Sequence, residues 1–171
     1  MSEVKTWRYV LPSIDGEGSG IVILDSTGFF ASVGDYGDYA YWWRYFGEEG
    51  FRNFFLKAEK ESEYFLRKLS RKSEIDIGET ARLIKETILS RRREGYMTRD
   101  YARREWERAK QLESDGDEHW WYENTWFACR SELLVYDYPA CAKAFVEKFL
   151  PRLAKAIEEE LKNEMEMVTN D

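Results

Sequence analysis

Two cysteines, three prolines and one histidine in 171 residues leave little soft-ligand or disulfide chemistry to build with. Cys129 and Cys141 are too few for a disulfide framework. With His119 they make too few ligands for a zinc site, so neither a metal nor a cofactor is expected. No apolar run approaches the ~20 residues that a bilayer demands, which argues against a membrane-spanning helix. The opening Met1–Val10 stretch has no basic segment followed by an apolar one, so no secretory signal is expected. The sequence also lacks a solenoid repeat and any low-complexity tract.

What is abundant is aromatic and charged. Phe, Trp and Tyr make up 16% of the chain and apolar residues 43%, enough for a core and too many for wholesale disorder. Acidic residues number 33 and basic residues 26, for a net charge of -7. The excess is uneven. Between Arg67 and Lys110 there are 14 basic and 8 acidic residues, against 12 and 25 elsewhere.

Strand signals come first. Trp7–Leu11, Ile21–Leu24 and Phe29–Val33 are short β-prone runs separated by the Gly-rich segment from Asp15 to Gly20 and by Asp25–Gly28. They predict a three-stranded antiparallel meander. From Gly50 the apolar spacing turns helical. Phe51, Phe54, Phe55 and Ala58 form one stripe, and Phe65, Leu66 and Leu69 continue it. Asp76 and Thr98 read as N-caps and Gly95 as a helix stop. Ser114–Asp117 breaks the second of these helices, and Glu118–Arg130 fits either a helix or a loop. Pro139 opens a last helix in which Phe145, Phe149, Leu153, Ile157 and Leu161 recur every four residues, with Pro151 expected to kink it or start a new turn. Strands followed by helices argue an α+β fold, a small N-terminal antiparallel β-meander covered by a C-terminal helical bundle. One domain over 1–171 is expected, mainly β over 1–46, mainly α over 50–165, with a frayed tail over 166–171.

Three candidate sites emerge. The first is acidic and aromatic: seven rings fall in the twelve residues Asp35–Phe46, more than one face can bury. With Glu48 and Glu49 nearby, it suggests a partner-binding surface of Asp35, Tyr36, Asp38, Tyr41, Trp43, Glu48 and Glu49, about half of the rings being core and half partly exposed. Acidic surface with exposed rings can imitate a nucleic-acid backbone and occupy a basic groove. The second is Arg91, Arg92, Arg93, Arg99 and Arg103, which could grip phosphates. Asp100, Glu105 and Glu107 are interspersed there and the net charge is acidic, so direct nucleic-acid contact is the weaker reading, and self-pairing of these charges on the surface the simpler one. The third is His119 among Asp115, Asp117 and Glu118, an acid–base site only if a pocket encloses it. Neither a nucleophile elbow, nor a dinucleotide loop, nor a phosphate-binding Gly-Lys-Ser/Thr motif is present, so catalysis is not expected.

The stretch Leu24–Trp43 resembles small accessory proteins of bacteriophages and prophages, which share a strand–turn–strand followed by G-[ND]-[YW]-A-Y-x-W, here Gly37–Trp43. A Phe-rich helix follows in them, here Phe51–Leu56, and the Phe145–Leu153 stretch is similar as well. The resemblance carries no catalytic residues. It implies an accessory product of a mobile element working in the cytoplasm of a host bacterium. Such products include inhibitors of host defence, anti-CRISPR proteins among them. On this reading the partner is a host defence protein or ribonucleoprotein complex, with no membrane involved and the oligomeric state open.

Overall fold

A computed structural model describes residues 3–169. Four strands form one antiparallel sheet in sequence order: β1 (Thr6–Leu11), β2 (Gly20–Asp25), β3 (Phe29–Gly34) and β4 (Tyr39–Trp42). The chain is thus α+β with an N-terminal meander. The sequence pattern predicts three of these strands, and β4 is additional. Its rings occupy both faces of the sheet, which hides the usual two-residue alternation.

Among the described residues, seven α-helices follow the meander. They are α1 (Phe51–Phe55), α2 (Ser62–Leu69), α3 (Ile77–Arg93), α4 (Arg99–Asp115), α5 (Glu118–Asn124), α6 (Ala140–Ala144) and α7 (Leu150–Thr169). A two-residue ribbon pairs β5 (Glu74–Ile75) with β6 (Tyr136–Asp137). The chain divides into two compact units, one made of the residues up to Arg71 and from Tyr138 onward, the other of Lys72–Asp137.

In the first unit the sheet turns Tyr9, Leu11, Val22, Leu24 and Phe30 inward. They meet Phe51, Phe55 and Phe65 from α1 and α2 and a row along the last helices, Phe145, Phe149, Leu150, Leu153 and Ile157. Pro151 does not break that helix. A π-helical turn at Phe145–Phe149 joins α6 to α7, and Leu150 N–H bonds back to the Phe145 carbonyl. The wider turn takes up the irregularity just before a residue that cannot donate its own N–H. Helix α7 continues to Thr169, through most of the tail expected to fray; residues 170 and 171 lie outside the described residues.

A polar latch ties α7 to β1 and α1. The Arg52 guanidinium spans Glu164, at 2.7 and 2.9 Å, and Glu160, at 3.2 Å, while Tyr9 donates its hydroxyl hydrogen to Glu160. Arg52 also stacks on Trp7, 4.8 Å from the ring centre. The Arg52 hydrogen bond holds the Glu164 carboxyl below its ordinary value of 4.5. A carboxyl whose pKa is lower folded than unfolded stabilises the fold above its unfolded pKa and loses that contribution as pH falls through the folded one. Arg52→Ala is therefore expected to cost about 1–2 kcal/mol at pH 7, the exposure of both carboxylates keeping it small. In thermal melts the gap from the parent protein should narrow as the pH is lowered below 4.5.

The second unit has its own core of Ile84, Ile88, Met97, Ala109, Leu112, Trp121, Phe127 and Leu133. The caps fall where the sequence places them. Asp76 accepts from Glu79 N–H and Thr98 from Tyr101 N–H, and Gly116, at φ 68°, ends α4 in the left-handed region. The ambiguous aromatic stretch becomes the short α5, capped by Asp117, and a 3₁₀ turn at Arg130–Leu133.

Candidate interaction surface

An antiparallel sheet with one solvated face normally alternates apolar inward with polar outward. This one does not. Val10, Ile21, Ile23, Phe29, Val33 and Trp42 point away from the core and are 39–62% exposed. Register makes them contiguous: Val10 faces Ile21, Ile21 faces Val33, and Phe29 faces Trp42, with Ile23, Ala31 and Ala40 forming the row between. Arg8, opposite Ile23, is the charged residue of that middle row. The largest apolar patch on a monomer is commonly about 300–600 Å² and often functional.

Trp42 stands at one corner and is held there. Its indole N–H donates to the Thr27 carbonyl at 2.8 Å, and the Arg44 guanidinium lies 5.3 Å from its ring centre. The ring also forms one wall of a cleft of about 450 Å³ with Tyr41, Tyr45, Tyr64 and Lys68. The Lys68 ammonium sits 5.6 Å from the Tyr41 ring and 5.7 Å from that of Tyr64. At the base of the cleft, Trp43 N–H donates to the Tyr64 hydroxyl at 3.0 Å. The corner is thus aromatic with two cations, beside a broad apolar sheet.

The acidic and aromatic residues singled out from sequence do not converge on one site. Asp35 and Asp38 are exposed beyond the Gly34 end of β3. Asp35 accepts from the backbone N–H of Ser19 at 2.8 Å and from its hydroxyl at 2.9 Å, bonds that hold its carboxyl below the usual range. Tyr36 is half-buried in a second cleft, of about 470 Å³, with Lys148 and Arg152. Glu48 and Glu49 are exposed toward the opposite end of β3, two and three residues past Phe46, whose ring lies against Gly28. Tyr41 lines the aromatic cleft. Trp43, at 3% exposed, is core and offers no surface to a partner. Of the two tryptophans it is Trp42 that is exposed, and the sheet face beside it lies outside the residues singled out from sequence. The signal for that face was in the Ile21–Leu24 run, which lacks the polar alternation of a half-buried strand.

The arginines of the second unit are exposed or half-buried at the end of α3 and the start of α4. Among the described residues no ion pair joins Arg91, Arg92, Arg93, Arg99 or Arg103 to a carboxylate, so the self-pairing expected of them is not seen. Arg91 donates to Cys129 Sγ at 3.2 Å, and Arg92 donates to the Met97 carbonyl at 3.1 Å. The His119 side chain is 79% exposed with Glu123 at 3.4 Å, and no wall around it excludes water. Among the described residues, no group of three or more His, Cys, Asp or Glu side chains is placed to hold a metal ion. No described helix is long and apolar enough to cross a membrane.

A family model described as a phage family matches residues 2–159. The chain belongs to that phage family. No curated protein and no solved structure matches it. For this phage protein, then, the family fixes the origin, and the chemistry has to be read from the surface.

Proposed function

We propose that this phage protein is a non-catalytic binding protein that works inside the infected bacterium, docking its outer sheet face on a host defence protein that handles nucleic acid. The observation that carries this reading is the contiguous apolar face of β1–β4 with Trp42 fixed at its corner. Leaving such a face to water is unfavourable at roughly 25 cal/mol per Å². A partly exposed tryptophan locked by a hydrogen bond is the kind of residue that dominates an interface, since little freedom is lost when it docks. The carboxylates at the two ends of β3 suit a partner whose apolar strip is flanked by Lys and Arg, as around a nucleic-acid groove. Their contribution falls chiefly on the rate of encounter.

The test is to purify the tagged protein from its host, identify what it retains, and measure the binary affinity with purified components. Trp42→Ala is expected to weaken binding by about 30-fold or more, corresponding to ~2 kcal/mol, with an unchanged circular dichroism spectrum. Joint reversal of Asp35, Asp38, Glu48 and Glu49 should slow association by about tenfold at low salt. A retained partner bound equally well by Trp42→Ala and by Ile23→Ser would place the interface elsewhere. A partner whose activity continues unchanged when bound would end the inhibitor reading.

A further inference from the structure

The second unit carries a built cluster of a different kind. Trp126, 62% exposed, stands at the centre of it. The guanidinium carbons of Arg104 and Arg108 lie 5.5 and 5.8 Å from its ring centre, and the Tyr101 ring meets it edge-on at 6.0 Å. Beside it Arg91 lies 5.2 Å from the Phe127 ring. Burial raises the Tyr101 pKa, as does the charge of Glu105, while Arg108, Arg91 and Arg104 oppose both, so all three cations are within electrostatic reach of that ring.

The cluster is anchored from beneath. Glu105 is fully buried, an unusual place for a carboxylate on a helix otherwise lined by Ala102, Ala109 and Leu112. It takes a charge-assisted hydrogen bond from Arg108 and one from the Thr125 hydroxyl at 2.7 Å. The Thr125 oxygen in turn accepts from Phe127 N–H at 3.4 Å. Glu105 thereby fixes Arg108 on one side and the residues flanking Trp126 on the other. One carboxylate is set against three guanidiniums, and no ion pair among the described residues satisfies Arg91 or Arg104.

A ring open to solvent, with Arg108 held over it by Glu105 and with Arg104 and nearby Arg91 in no ion pair among the described residues, matches a ligand that offers a flat π-face and phosphate charge together. Single strands present both, because their bases are unstacked, whereas a duplex keeps its base faces covered. We propose that Tyr101 and Trp126, with Arg91, Arg104 and Arg108, form a binding site for single-stranded nucleic acid. The Trp126 ring stacks on a base and the guanidiniums contact the flanking phosphates. This site shares Arg91 with the earlier arginine set and departs from it in Arg104 and Arg108, the guanidiniums that lie over the Trp126 ring. It is also independent of the sheet face, so either proposal can fail without the other.

The probe is fluorescence anisotropy with labelled 20-nucleotide single-stranded DNA and RNA, and with a duplex, titrated with the full-length protein from low to high salt. Measurable binding of the single strands at low salt is expected, weakening with a log–log slope near -2, as about three phosphate contacts on a single strand imply. Trp126→Ala should weaken it roughly tenfold. Arg104→Ala should lower both the affinity and the salt slope, while Arg103→Ala leaves them within about twofold. Unchanged thermal melts show that these exposed substitutions act on binding. No retention of either single strand at low salt overturns the proposal. So does equal loss with Arg103→Ala and Arg104→Ala, which means diffuse attraction, or duplex binding that is indifferent to Trp126.

Discussion

Trp43→Ala is expected to lower the melting temperature by about 10–15 °C, corresponding to roughly 3–5 kcal/mol in a chain of this size. The indole is packed against Phe30, Tyr41, Phe51, Phe54, Phe55 and Phe65, with ring centres 4.6–5.9 Å apart. It therefore joins the sheet to α1 and α2 at once. Truncation empties a volume that rigid neighbouring rings cannot refill, and it orphans the Tyr64 hydroxyl that accepts from the indole. Since folded domains hold only about 5–15 kcal/mol in reserve, this one change takes a large share of it. Trp43→Phe keeps most of the ring volume and should recover more than half of the loss. A Trp43→Ala protein melting within 2–3 °C of the parent, about 1 kcal/mol, would mean that the aromatic core is not cooperative there.

Gly28→Ala is the second large effect, at about 2–4 kcal/mol by urea denaturation. Gly28 sits at φ 91°, and a methyl group on it would come 2.0 Å from the Trp43 carbonyl oxygen. The Gly28 carbonyl also accepts from Trp43 N–H at 2.9 Å, so the chain cannot back away without breaking that bond. Gly47 is a matched control. Its φ is 88° but its surroundings are open, so Gly47→Ala should carry only the backbone penalty of about 1–2 kcal/mol. The difference isolates the steric contact. Thr27, next in the same turn, holds the Trp42 indole, so Gly28→Ala should also weaken whatever docks on the sheet.

Much of the architecture could be read before any coordinates. The caps at Asp76 and Thr98, the four-residue rhythm of Phe145, Phe149, Leu153 and Ile157, and the turns at Asp15–Gly20 and Asp25–Gly28 each follow from local chemistry. What stayed hidden followed from long-range packing. β4 escaped notice because Tyr39 and Tyr41 lean inward while Trp42 leans out, so no alternation survives in the residue types. Leu89, next to the buried Ile88 of α3, is 44% exposed. Glu105, on the side of α4 that also buries Ala102, Ala109 and Leu112, is fully buried, because Thr125 and Arg108 supply partners that no linear pattern announces. The functional residues fared in the same way. Composition pointed to carboxylates and rings between Asp35 and Glu49, but folding scatters the carboxylates to opposite ends of a strand and buries Trp43. The face that remains is defined by cross-strand register, which only pairing can reveal.

The β5–β6 ribbon bears on how such a chain can change. Ser73 N–H bonds to the Asp137 carbonyl and Asp76 N–H to that of Val135, so the two ends of the Lys72–Asp137 unit are zipped to each other. A segment closed at its neck behaves as a cassette. Its interior can be lengthened, shortened or exchanged while the sheet and the C-terminal helix keep their threading.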